Sequence, residues 1–386
     1  DEVGAIVEIE RAIADWTSFA ALTAGHRCVA TSEGLVTGGA PIGSPAFVRA
    51  FVLGRLRDHA LAHSELACIR DTQAAYLLLR YSLAVRVHYL LRLVGDALAP
   101  HEEGPQAPLW VHDAQLSASL AVLLVDPTLD PVCRQAQAVQ GLPRLAVAQA
   151  GLPAKAGGLS LLPASSLWAV ARLAGAMAVR PYLIEHADSF CLPASALSTV
   201  STLTYYSGLR AAFAELHLRS ARSTVLYPDF TSLLSGSPVS QHDLAEGVFV
   251  DQFLEVVVQQ PSAAMRARLY SAAGLHAGAW LGTFPVTRMT TVRARHWQLA
   301  MVVRLGCAIP ELMPVAGVTP LCGGCSQQHD SFGFHPGICR VGNRAGLWTI
   351  RHDAAETMLA YVIRRMGRQC IVVSRGAGHW FGAAAF

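Results

Sequence analysis

Apolar residues recur at helical spacing along most of this chain, and the strand-like alternation of period two is rare. In Asp1–Leu22, Val3, Ile6, Val7, Ile13 and Phe19 lie at helical spacing. A Gly-rich passage over 34–44 reads as a short strand and turn, next to a strand-like segment, Cys28–Val36. Pro45–Ala62 predicts a helix with Ser44 placed to cap it. Asp71–Leu98 predicts one long helix that is apolar nearly all round. Further helices are expected at His112–Val125, Pro131–Gln140, Ser165–Ile184, Ser207–Ser220, His242–Gln260, Ser262–Ala273 and Thr290–Leu305, most of them bounded by Pro or Gly. A late strand is expected at Gln369–Val373. The pattern therefore predicts a mostly α fold.

Composition agrees with a packed chain: 52% of the 386 residues are hydrophobic and only 15% are charged, which excludes an unfolded tail. The most apolar stretch, Leu167–Ile184, is interrupted by Arg172 and Arg180, so it reads as a buried helix and not as a membrane span. The start, Asp1-Glu2, has neither an initiator Met nor the basic residues of a signal peptide, which leads to the expectation of a fragment or processed chain. Lys155 is the only lysine among 30 basic residues, so Arg is the default cation and an isolated Arg carries little information.

Charge is unevenly distributed. Residues 1–261 carry 16 Arg and Lys155 against 23 acids, a net of −6, whereas residues 262–386 carry 13 Arg against 4 acids, a net of +9. A cationic C-terminal third on an acidic body points to a polyanion, of which RNA or DNA is the usual example. Arg293 and Arg295, beside His296 and Trp297, have the composition of a phosphate-contacting helix and equally of a packed helix with one solvated face. In the Asp71–Leu98 segment, Gln73 and Arg80 lie two helical turns apart on one face. An Arg in such an apolar helix reaches a helix end, a carboxylate or a phosphate.

The nine cysteines do not form an even framework. Cys28, Cys68, Cys133, Cys191 and Cys307 are scattered in apolar surroundings, as reduced core thiols are, and Cys370 falls in the late strand. The other three cluster with histidine as Cys322-x2-Cys325-x9-His335-x3-Cys339, a spacing that suits one structural Zn2+. Gly323 and Gly324 allow the turn between the first two thiolates, and one helical turn from Pro336 places His335 and Cys339 on one side. His329 is a second histidine in reach, at the cost of a cramped loop after Cys325. Four protein ligands close the shell and leave no position for a catalytic water. The cysteine pattern implies a reducing compartment, nuclear or cytoplasmic.

Hydrolase and nucleotide signatures are missing. There is no Gly-x-Ser-x-Gly elbow, no phosphate-binding Gly-x4-Gly-Lys loop, no His-Glu-x-x-His and no Asp-Asp pair. His112-Asp113 reads as a helix cap and not as a catalytic dyad. No catalytic residue is assigned.

Several segments together resemble reverse transcriptases of algal and protist non-LTR-type retroelements, those with a C-terminal restriction-like endonuclease. Gly38-Gly39-Ala40-Pro41-Ile42-Gly43-Ser44 is similar to the segment following their polymerase palm. Asp71-x-Gln73-x-Ala75 with Leu78-Leu79-Arg80, and Arg86-x2-Tyr89-Leu90-Leu91-Arg92, is similar to a stretch further downstream, and Gly157-Gly158-Leu159 to a later loop. Cys322-x2-Cys325, Asp330, Gly333, His335, Cys339 and Arg351-His352 resemble their CCHC zinc knuckle and the helix beyond it, with Phe334 standing where the family has Asp.

The resemblance covers residues 35 to 370. It implies a thumb-like helical region over 1–130, a helical connector over 131–310, a zinc knuckle over 311–345 and the truncated start of an endonuclease-like region over 346–386. The palm is absent from this chain, and Thr357–Phe386 contains no Asp or Glu to hold a cleavage metal. The implied activity is non-catalytic binding of RNA or DNA, with the remainder of a retroelement polyprotein as partner and no membrane. Arg340, Arg344 and Arg351 beside the knuckle are the expected phosphate contacts, with Arg293, Arg295 and Arg80 as further candidates. The alternative is a zinc-stapled structural or interaction protein that binds no nucleic acid.

Overall fold

The computed structural model describes residues 29–31, 33–37, 39–98, 107–186, 204–235, 239–287, 290–314, 318–323, 325–335 and 339. The helix expected at Asp1–Leu22, the strand at Gln369–Val373 and the helix–strand segment of the C-terminus lie outside them. The chain divides into two compact units, Asp1–Gly306 and Cys307–Phe386. The boundaries expected at 130 and 345 from the resemblance fall inside these units.

The first unit is mostly helical. It opens with a three-stranded antiparallel sheet: β1 (Val29–Thr31), β2 (Gly34–Thr37) and β3 (Ala40–Gly43) pair in the order β1-β2-β3. The sequence placed a single strand over Cys28–Val36; the turn at residue 33 splits it, and Val29 pairs back on Val36. Helix α1 (Pro45–Glu65) follows, and Ser44 caps it by accepting the Phe47 N–H at 3.2 Å.

The long helix expected at Asp71–Leu98 is broken. Asp71 caps α2 (Thr72–Leu78) through the N–H groups of Gln73 and Ala74. The chain then makes a π-turn over Leu79–Leu83, closed by Ala84 N–H to the Leu79 carbonyl at 2.9 Å. It resumes as α3 (His88–Leu98), which itself kinks at Val94. Helical periodicity cannot register one extra residue in a turn, because the apolar face is wide enough to absorb it. The wider turn leaves Tyr76 fully buried, donating to the Leu159 carbonyl at 2.6 Å, while Leu83, Ala84 and Val87 also enter the core.

Next come α4 (Pro108–Leu123), α5 (Pro131–Ala138), α6 (Arg144–Ala150) and the central α7 (Ala164–Glu185). Helix α7 packs against α3, α4, α8 (Thr204–Arg219) and α11 (Gln241–Val258), which explains why its apolar residues surround it. Small residues permit the closest of these approaches: a Cβ on Gly175 would stand 3.1 Å from the Arg92 carbonyl of α3. Short helices α9 (Ala221–Leu226) and α10 (Phe230–Ser235) link α8 to α11, and α12 (Ala263–Ala272) and α13 (Ala294–Leu305) complete the unit. The helix expected from Thr290 begins four residues later, because Thr290 and Val292 are committed elsewhere: the buried Gln73 amide donates to the Thr283 and Thr290 carbonyls and accepts the Val292 N–H.

Asp113 does act as a cap, but for a distant helix. Its two oxygens take the Ala164 and Ser165 N–H groups at the start of α7, at 2.7 and 3.1 Å. Among the buried arginines of the unit, three hold backbone carbonyls together at its interior. Arg134 binds the carbonyls of Ala67, Ile69 and Val122. Arg304 binds those of Gly158, Ala277 and Ala154, and Arg268 reaches the Arg304 carbonyl and Gln149. Gly157 and Gly158 of the retroelement-like loop are structural parts of this knot. Gly157 has φ +82°, and a Cβ on Gly158 would collide with the Leu152 carbonyl at 2.0 Å. Cys68 and Cys133 are exposed, contrary to the expectation of core thiols, whereas Cys307 is buried. Cys28, Cys191 and Cys370 lie outside the described residues. No described helix is long and apolar enough to cross a membrane.

Candidate metal centre

The second unit carries the Cys/His cluster. The Cys322 N–H donates to the Gln327 carbonyl and the Ser326 N–H to the Cys322 carbonyl, both at 2.8 Å. Ser326 adopts a left-handed φ of +57°, so the chain doubles back and Leu321 bridges Gln328. This fold presents Cys322 and Cys325 toward one point. The opposite wall is set by Asp330, whose carboxylate accepts the N–H groups of Phe332, Phe334 and His335 at 3.0, 2.9 and 2.5 Å. Gly333, with φ +80°, makes that wrap possible, and a Cβ there would press on Ile309. A helix-type bond from Cys339 N–H to the His335 carbonyl, 2.9 Å, then brings the last thiol to the side of the imidazole.

The ligand atoms of Cys322, Cys325, His335 and Cys339 all lie within 4.8 Å of one another. Cys322 Sγ and Cys339 Sγ are 3.6 Å apart, and Cys325 Sγ is 3.1 Å from His335 Nε2. A tetrahedral ion with metal–sulfur bonds of about 2.3 Å separates two sulfurs by about 3.8 Å, and a sulfur and a nitrogen by about 3.5 Å. These two edges match within about 0.4 Å, and 3.6 Å is far from the roughly 2.05 Å of a disulfide. The donor set and its spacing therefore fit a metal ion such as zinc.

The charges are consistent with this role. The Gln327 N–H draws the Cys325 thiol pKa down, but burial and the adjoining Cys322 and Cys339 sulfurs outweigh it and push it up. The Cys325 thiol so placed resists ionising until a cation compensates it. Partial burial works against the charge on Asp330, yet its three N–H donors prevail and hold its carboxyl below the usual range.

Of the two candidate histidines, His335 joins the cluster. His329 stands beside it, ring centroids 5.6 Å apart, with its Nδ1 enclosed and unpartnered among the described residues. Asp330 belongs to the family-like pattern, but its bracing role is invisible in ligand spacing. The only trace is an Asp placed three residues before a glycine able to take positive φ.

Arg340, Arg344 and Arg351 lie outside the described residues. Arg293 is exposed at the start of α13, where its carbonyl accepts the Trp297 N–H. Arg295 is half-buried and bonded to Gln298. Arg80 lies in the π-turn with its guanidinium 4.8 Å from the centre of the Tyr81 ring. Comparison with protein-family models, with curated proteins and with solved structures finds no match to this chain.

Proposed function

We propose that this chain is a non-catalytic nucleic-acid-binding segment of a retroelement reverse-transcriptase protein, organised around a structural zinc ion. The observation that carries the reading is the closed Cys3His cluster braced by Asp330, lying within a C-terminal third of net charge +9. Zinc held by Cys322, Cys325, His335 and Cys339 would supply folding energy and fix the surrounding loop. With four protein donors it keeps no site for an activated water, so the centre serves as scaffold. Arg340, Arg344 and Arg351 follow in sequence and are the proposed contacts to phosphate, with Arg293, Arg295 and Arg80 as auxiliary cations. Such contacts give largely sequence-independent, salt-sensitive binding to RNA or DNA.

Charge reversal tests this directly. Arg340→Glu, Arg344→Glu and Arg351→Glu together should weaken binding to a mixed-sequence DNA duplex. They should also flatten the dependence of log K on log salt by about 2.7, some 0.9 per lost phosphate contact. Unchanged affinity and slope would refute the nucleic-acid role and favour a zinc-stapled structural module. The second reading has one observation in its support: Arg134 and Arg304 are committed to internal carbonyls, so two of the chain's cations are scaffold.

A further inference from the structure

The first unit carries a half-open cavity of about 670 Å³ between α3, α7, α11 and the loop preceding α7. Its volume falls inside the range of about 300–1,000 Å³ typical of small-molecule sites. Leu162, Leu167, Ala245, Phe249 and Phe253 supply apolar wall, and Leu167, Ala245 and Phe249 are themselves buried. Polar groups gather at one side. Gln241, the first residue of α11, accepts from Arg92 Nε at 2.8 Å and so fixes the guanidinium.

Arg92 and Lys155 face a single lining carboxylate, Glu246, and Lys155 Nζ is already bonded to it at 2.9 Å. Arg222 shares that same carboxylate from outside the cavity. Asp243, in the same turn of α11, does not line the cavity and is held by the Ser240 hydroxyl at 2.6 Å. The two terminal nitrogens of Arg92 are thus left with hydrogen-bonding capacity. The first turn of an 18-residue helix adds positive potential at Gln241 and His242.

The geometry points to a binding site for an amphipathic monoanion: an apolar tail in the cavity and a carboxylate forked by Arg92 at its rim. A guanidinium presents two parallel N–H groups that match the two oxygens of a carboxylate. The forked guanidinium of Arg92 selects one carboxylate, and the apolar walls select an apolar body. This site belongs to the helical unit and depends on neither the metal cluster nor nucleic-acid binding.

Isothermal titration of the full chain with dodecanoate, below its micellar concentration, tests the assignment, with 1-dodecanol as the uncharged match. The expected result is saturable binding of one dodecanoate per chain, weakened about tenfold or more by Arg92→Gln, as loss of a charged hydrogen bond predicts, with dodecanol binding unmoved. Arg92 is exposed, so its replacement leaves the core intact. Val250→Trp, at an exposed position on the lining, should obstruct both ligands. Absence of one-to-one binding, equal binding of both ligands to the unaltered chain, or dodecanoate affinity indifferent to Arg92→Gln would each overturn it.

Discussion

Acidification should destabilise the helical body well above the pH at which carboxylates titrate, through two buried histidines. His112 of α4 and His63 of α1 are 1% and 8% exposed. His63 Nδ1 is 2.7 Å from the Ser119 hydroxyl. Burial pushes the His112 pKa down to about 3, aided by His88, His63 and His59 and opposed only by the Ala84 carbonyl. Burial likewise brings His63 to about 4, with His59 and Arg86 adding to the effect. Among the described residues, no carboxylate compensates either ring.

Both folded values lie below the unfolded value of about 6.5. Below pH 6.5 the unfolded chain therefore binds more protons than the native one, and stability falls as pH falls. Because both folded values are also below 5, the loss between pH 7.5 and 5 is set by the unfolded pKa alone. It amounts to about 2 kcal/mol per histidine, roughly 4 kcal/mol together. That is a large share of the 5–15 kcal/mol of a typical domain. The carboxyls held low, Asp126 and Asp330 among them, lose their contribution only below about pH 4. The decisive comparison is with the double variant His63→Gln, His112→Gln. Urea unfolding followed by fluorescence of the buried Trp168 and Trp297 should show a pH 7.5-to-5 loss about 4 kcal/mol smaller in the variant. Equal losses in the two proteins would refute the reasoning.

Three further substitutions probe other parts of the structure. Asp330→Ala removes the brace behind His335 and should weaken metal affinity about 10–100-fold in competition with a chromophoric chelator. Gly158→Ala places a methyl against the Leu152 carbonyl and should destabilise the first unit by more than about 3 kcal/mol in urea unfolding. Gln73→Ala strands the Val292 N–H and the Thr283 and Thr290 carbonyls; it should cost about 2 kcal/mol and expose residues 283–292 to limited proteolysis.

What the sequence revealed were features written in local chemistry. Ser44 beside Pro45 marks a helix start, and wide apolar faces mark most of the helices. The four metal donors are readable because coordination chemistry restricts both residue type and spacing. What stayed hidden depends on distant partners. The break after Leu78 leaves no trace in periodicity, and α6, α9 and α10 are too short for their repeat to stand out. Asp113 looked like a cap for its own helix, yet it serves one 51 residues away. Arg134, Arg268 and Arg304 resemble any surface arginine in sequence; only the fold shows that they hold carbonyls together. Cys68 and Cys133 misled because apolar neighbours in sequence do not fix which face a thiol takes. The role of Asp330 required the positions of three backbone N–H groups that spacing alone does not give.

The most direct test of the central claim is fluorescence anisotropy of a labelled oligonucleotide titrated with the zinc-loaded chain across a salt series, repeated after chelation. The account predicts binding that weakens steeply with salt and is lost when zinc is removed. Zinc held at one ion per chain with no oligonucleotide binding, or binding indifferent to chelation, would contradict it.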